Sequence, residues 1–208
     1  MENQFTVINP FYTAPHAINL QINTEKGVTY DVKGERIFYV IKDTFCPLHY
    51  RRVLYDDKQN PILTTYKKIM ALRERCKVFK GESNDPSEFL FSVKDIKKPS
   101  KIPRGISKLN VFLANNKDEK NCDFRVIIHG SKRSCIVYAG ESPTVVAQME
   151  NNGGFNVLVY PNVDYAFIVA LLMIVNEMNY KEPRDGTSTS TTANMVATAL
   201  SLLGTSSS

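Results

Sequence analysis

Tyr165-Ala-Phe-Ile-Val-Ala-Leu-Leu-Met-Ile-Val175 is the stretch on which the fold turns. As a helix its eleven residues reach roughly 17 Å, well short of the about 30 Å of bilayer hydrocarbon, so the run does not span a membrane. It has no polar face, and a helix that is apolar all round must be buried all round. On a surface it would leave half of Phe167, Leu171, Leu172 and Ile174 in water, at a cost on the order of several kcal/mol, comparable to a whole domain's net stability. Pro161-Asn162-Val163-Asp164 before it supplies a strand stop and an Asn or Asp N-cap. The pattern ends near Asn176–Tyr180, ahead of Pro183.

Upstream, the text changes period. Phe89/Phe91/Val93, Phe124/Val126/Ile128 and Phe155/Val157/Val159 alternate with more polar neighbours, the period of half-buried strands. Further apolar or β-branched runs lie at Arg36–Ile41, Ile62–Tyr66, Leu109–Leu113 and Cys135–Tyr138. Turn chemistry divides them, at Lys26-Gly27, Lys33-Gly34, Asn60-Pro61, Lys80-Gly81, Ala139-Gly140 and Asn151-Asn152-Gly153-Gly154. Strands from about Ile18 to Tyr160 followed by one all-apolar helix have an economical packing solution. The sheet wraps around the helix, with Tyr165, Phe167, Ile168, Leu171, Leu172, Ile174 and Val175 as its contribution to the core.

The composition agrees. The chain has 208 residues, 43% hydrophobic and 23% charged, with ten Gly and ten Pro. These values fit a globular domain and exclude a fibrous, wholly disordered or multi-span protein. The net charge of +5 is unevenly spread: Arg51 to Arg133 holds 20 basic and 10 acidic residues. Its densest stretch is Lys94, Lys97, Lys98, Lys101, Arg104 and Lys108, opposed locally by Asp95 alone. Pro99, Pro103 and Gly105 keep that stretch irregular and exposed. Arg51-Arg52, Lys67-Lys68, Arg73, Arg75 and Lys132-Arg133 are candidates to join the same side of a barrel. Such a field attracts phosphate, as lipid headgroup or nucleic acid.

Catalytic patterns are missing. No G-x-S-x-G, H-E-x-x-H or G-x-G-x-x-G occurs. His16, His49 and His129 stand apart from metal-ligand partners. Cys46, Cys76, Cys122 and Cys135 are widely spaced and read as reduced, buried thiols. Gly130-Ser-Lys-Arg-Ser134 reads as a basic turn, and Asp118-Glu119…Asp123 as a charged hairpin that lacks the ligands of a calcium loop. No cofactor or metal site is expected. The N-terminus lacks the basic and apolar regions of a secretory signal. These features point to a cytoplasmic protein, peripheral at a membrane or nuclear being compatible placements.

Four ordered blocks carry a resemblance: Asn116-Lys-Asp-Glu-Lys-Asn-Cys-Asp-Phe-Arg-Val126, Arg133-Ser-Cys-Ile-Val-Tyr-Ala-Gly-Glu-Ser142, Val146-Ala-Gln-Met149 and Val159-Tyr-Pro-Asn-Val-Asp-Tyr-Ala-Phe-Ile168. In these the chain closely resembles the LURP-one-related proteins of plants, from about Pro10 to Asn179. The resemblance implies a mainly β, tubby-like fold, an antiparallel barrel enclosing a hydrophobic C-terminal helix. The domain would occupy 18–180, between an N-terminal extension (1–17) and a disordered Ser/Thr-rich tail (181–208). Three departures stand out. Around ten residues usual in the family are missing between Met149 and Phe155, enough for a strand, whose loss would leave a gap or an exposed edge in the barrel. The hairpin near Asn23–Thr29 is shortened, and Cys76 stands where relatives often have Trp.

Within this resemblance, tubby proteins bind phosphoinositides and phospholipid scramblases share the fold, so the class of function carries over, without a site. The expected function is a non-enzymatic intracellular binding or membrane-tethering module in a plant defence or stress setting. It would engage anionic phospholipid or a protein partner through Lys94, Lys97, Lys98, Lys101, Arg104, Lys108, Lys132 and Arg133. A scramblase-like lipid transporter and a basic nucleic-acid-binding regulator are the alternatives. The latter is the weaker, since Asp95–Lys108 lacks the exposed aromatics on which single strands stack. The sequence leaves the oligomeric state open.

Overall fold

Alternating apolar residues become one continuous inner wall. In the computed structural model, which describes residues 4–43, 49–68, 75–96, 106–130, 134–151 and 155–179, twelve antiparallel strands follow in chain order. They are β1 (Ile18–Asn23), β2 (Val28–Tyr30), β3 (Arg36–Asp43), β4 (His49–Asp56), β5 (Pro61–Lys68), β6 (Arg75–Lys80), β7 (Phe89–Asp95), β8 (Ile106–Leu113), β9 (Phe124–His129), β10 (Ser134–Ala139), β11 (Val145–Asn151) and β12 (Phe155–Val159). Each pairs with its neighbours in sequence, and β1 pairs with β12, from Ile18↔Val159 to Ile22↔Phe155, to close the barrel. Closure leaves no unpaired strand edge in the ring.

The helix α1 (Tyr165–Asn179) runs inside. Phe167, Ile168, Leu171, Leu172, Ile174 and Val175 are buried, and Tyr165, in the first turn, is half-buried against Phe38 and Tyr12. Burying the six fully enclosed side chains contributes about 9–18 kcal/mol, as large as the net stability of an ordinary domain. Around them, Val126, Val137, Val157, Val78, Val93 and Val111 point inward from six different strands. Phe167 meets Phe91 edge-on at 5.1 Å and Phe124 at 4.8 Å.

The shortened connection between Met149 and Phe155 does not open the wall. β11 and β12 pair directly, from Ala147↔Val159 to Asn151↔Phe155, and β12 passes its other side to β1. A hairpin needs only a few linking residues, so the missing segment is dispensable to closure. The shortened N-terminal hairpin is accommodated by Gly27. It holds φ 67° and brings its carbonyl to the Val40 amide at 2.8 Å, where a Cβ would crowd the Val40 Cβ at 3.3 Å.

The N-terminal segment closes the end of the barrel at which α1 begins. Phe5 pairs in parallel with Val163 and Thr13 with Asp164. The buried Asp164 carboxylate holds this end together. Its Oδ1 accepts from the Phe167 amide at 3.0 Å, the N-cap bond, while Oδ2 accepts from the amides of Val7, Ile8 and Asn9 at 3.2, 2.7 and 3.2 Å. Asn162 supplies the tight turn, at φ 62°.

Candidate functional site

In an up-and-down barrel successive connections alternate between the two ends. Ile106 pairs with His129, and His129 with Ser134, so the ends of β8, β9 and β10 stand in one row at one end. α1 finishes at this same end. Lys42↔Arg52, Arg52↔Thr65 and Lys67↔Cys76 are register pairs of β3, β4, β5 and β6 that lie beyond the inward Leu54 and Leu63. Arg52 turns in to meet the helix, its Nη1 2.6 Å from Oε1 of Glu177.

Glu177 is the single charged residue of α1. It sits near the helix C-terminus, where the macrodipole disfavours an anion. Burial pushes its carboxyl above the ordinary range, and Arg52, Lys67 and Lys42 pull against that shift. Arg52, Lys67 and Lys42 thus bring positive charge to the Glu177 carboxylate at this mouth of the barrel.

Of the eight basic candidates read from the sequence, Lys97, Lys98, Lys101, Arg104, Lys132 and Arg133 lie outside the described residues. The other two are occupied. Lys94 pairs with Glu119 and rests over the Phe112 ring at 5.1 Å. Lys108 lies 3.8 Å from Glu141. Asp95 is therefore not the only acid opposing this stretch. The 114–123 connection folds back along the outer wall, where Glu119 bridges Lys94 and Arg75, the latter at 2.7 Å. Burial raises the Glu119 carboxyl, yet Lys94 and Arg75 together hold it below its usual range. Glu141 similarly spans Lys108, Arg125 at 2.8 Å and the Cys122 thiol at 3.2 Å. The charged hairpin is ordered from within: Asp123 Oδ2 accepts from the Leu113 amide at 2.8 Å and from Asn116 Nδ2 at 2.9 Å.

The thiols fit the inert reading. Cys76, Cys122 and Cys135 are free and buried. Burial pushes Cys122 up to about 11 and Cys135 to about 12, and raises Cys76 as well. The thiolate, the reactive form, is therefore scarce at neutral pH. Cys46 lies outside the described residues. Among the described residues no group of three His, Cys, Asp or Glu side chains is placed to hold a metal ion, and no helix is long and apolar enough to cross a membrane.

Lys42 and Glu177 were not singled out in the sequence. The signal for Glu177 was present, as a lone charge at the end of an otherwise apolar helix. Lys42 had none, because its importance depends on the pairing of β3 with β4.

A closed antiparallel barrel wound around its own helix, with a cation-rich mouth, defines the class: a tubby-like fold whose interior is filled by the chain itself. The LURP-one-related family model matches residues 19–176, and the chain belongs to that family. It is 39% identical to Protein LURP-one-related 15 of Arabidopsis thaliana, covering 85% of this chain and 87% of the relative. Protein LURP-one-related 10 of the same plant is 36% identical, with 86% and 99% covered. An X-ray structure of an Arabidopsis thaliana protein is similar throughout, with TM-score 0.68, 42% identity, and 84% of this chain and 98% of that one covered.

Proposed function

We propose that the protein is a non-enzymatic, intracellular binding module that tethers to anionic phosphate-bearing lipid, a phosphoinositide surface, through the barrel mouth at which α1 ends. The observation that carries the reading is the row Ile106–His129–Ser134. The connection bearing Lys97, Lys98, Lys101 and Arg104 enters this row at Ile106, and that bearing Lys132 and Arg133 joins His129 to Ser134. Lys42, Arg52 and Lys67 stand on the same rim, around Glu177. An anionic leaflet attracts such residues with about 1 kcal/mol each near the surface. The interior is occupied by α1, which favours recognition on the exterior over chemistry in a cavity. Membership in a defence-associated plant family supplies the setting.

The scramblase-like alternative requires α1 to leave the barrel and enter a bilayer. Its 15 residues reach about 22 Å, short of the roughly 30 Å needed. Leaving would also expose the core it fills.

Sedimentation of the full chain with vesicles containing phosphatidylinositol 4,5-bisphosphate tests the proposal. The expected result is binding at low salt that weakens as salt rises and falls at least tenfold in a Lys97→Gln, Lys98→Gln, Lys101→Gln variant. Absence of binding at low salt, or binding indifferent to those substitutions, overturns it.

A further inference from the structure

A second surface has a different chemistry. The outer face of β1, β12 and β11 carries a groove of about 450 Å³, lined by Asn19, Gln21, Val32, Gln148, Glu150, Asn156 and Leu158, with the backbone of Leu20 and Val157 as its floor. Register turns these side chains into a grid. Asn19, Leu158 and Gln148 form one row across three strands, and Gln21, Asn156 and Glu150 the next. Within a row, neighbours stand about 5 Å apart, and the rows are about 7 Å apart along the strands.

Four of these six side chains are carboxamides and none is a cation. Gln148 Nε2 donates to the Tyr160 hydroxyl at 2.7 Å. That bond fixes the amide and leaves Oε1 as an acceptor. The side chains of Asn19, Gln21, Asn156 and Glu150 make no hydrogen bond to the protein among the described residues, although their spacing would allow ladders across the strands. They stand in a concavity beside two apolar side chains, half-buried Leu158 and Val32, which is 73% exposed.

A carboxamide presents a donor and an acceptor side by side, the complement of adjacent hydroxyls that each donate and accept. An apolar wall next to them suits the C–H face of a pyranose ring. Phosphate is disfavoured, since no lining residue is basic and Glu150 would repel it. Strand addition by a peptide is excluded, because all three strands are paired on both sides. We infer that this groove binds a neutral, hydroxyl-rich ligand of the carbohydrate class, through Asn19, Gln21, Gln148, Glu150 and Asn156, independently of the basic mouth.

Saturation-transfer NMR on the full chain with cellohexaose, xylohexaose, maltohexaose and chitohexaose at millimolar concentration tests this, followed by calorimetry on any that binds. At least one oligosaccharide is expected to receive transfer. A Gln21→Ala, Asn156→Ala variant is expected to weaken it at least tenfold while keeping the wild-type melting temperature, as both residues are exposed on the outer face. Replacing Lys97, Lys98 and Lys101 by Gln is expected to leave it unchanged. No transfer to any of the four, or transfer undiminished in the Gln21→Ala, Asn156→Ala variant, overturns the inference. So does loss of oligosaccharide binding on replacing the three lysines, which would merge the two surfaces into one site.

Discussion

The two ends of α1 solve one problem in opposite ways. At each, a carboxylate is drawn into the barrel: Asp164 where the helix begins, Glu177 where it finishes. Asp164 is surrounded by neutral dipoles, four backbone N–H groups from two segments, and by the positive end of the helix. Glu177 sits at the negative end and is surrounded by charge, with Arg52 in contact and Lys42 and Lys67 nearby. Burial raises both carboxyls above their ordinary range. Fixed amides are satisfied by one anion and have nothing left to offer, so the Asp164 end is a structural closure. Long charged side chains are not fixed in this way, and the Glu177 end is the one at which we propose that a ligand docks.

That contrast is broken most directly at Asp164. Asp164→Ala removes the helix cap and leaves three N-terminal amides without an acceptor, and is expected to cost about 3–4 kcal/mol in urea unfolding. Asp164→Asn, which keeps one acceptor, should cost less. A loss below about 1 kcal/mol for the alanine variant would show that the N-terminal segment is held by its apolar contacts alone. These include Phe5 against Phe124 at 5.8 Å and Tyr12 against Phe38 at 5.7 Å.

Arg52→Ala is expected to cost less, about 1–3 kcal/mol, because Arg52 is partly exposed and Lys42 and Lys67 still face Glu177. Adding Glu177→Gln should recover part of that loss, since the orphaned charge disappears. A double-mutant cycle with no coupling between the two positions would mean that the pair does not hold the mouth. A cost for Arg52→Ala equal to that for Asp164→Ala would erase the difference between the ends.

The same contrast explains what was legible beforehand. The closure was readable: the uniform apolarity of Tyr165–Val175 demanded an enclosing sheet, and Asp164 stood where an N-cap belongs. Strands β9 and β12 were visible because every inward residue is apolar, and β7 because Phe91 and Val93 are. β4 was not, since its inward position 52 is an arginine that breaks the alternation to reach Glu177. The mouth was hidden for the same reason. Glu119 meets Arg75 across 44 residues and Lys94 across 25, so local composition overstated how much of the basic stretch is free. Closure was not readable from the missing residues before Phe155, because the number of strands a ring needs depends on how the others pair.

The smallest effect is a pair of opposite pH slopes. A carboxyl raised by folding binds more protons in the folded state, so stability falls as pH rises from its unfolded value through its folded one. Glu177 is of this kind, and wild type should lose stability relative to Glu177→Gln as the pH rises through and above the ordinary carboxyl range. Glu119 is of the other kind: Lys94 and Arg75 hold it low, its contribution is present above the ordinary carboxyl range, and it disappears on acidification. Wild type should therefore lose stability relative to Glu119→Gln as the pH falls from 5 towards 3. Urea midpoints across both ranges give the two slopes. Like signs would mean that Glu177 is stabilised by its cations as fully as Glu119 is by Lys94 and Arg75.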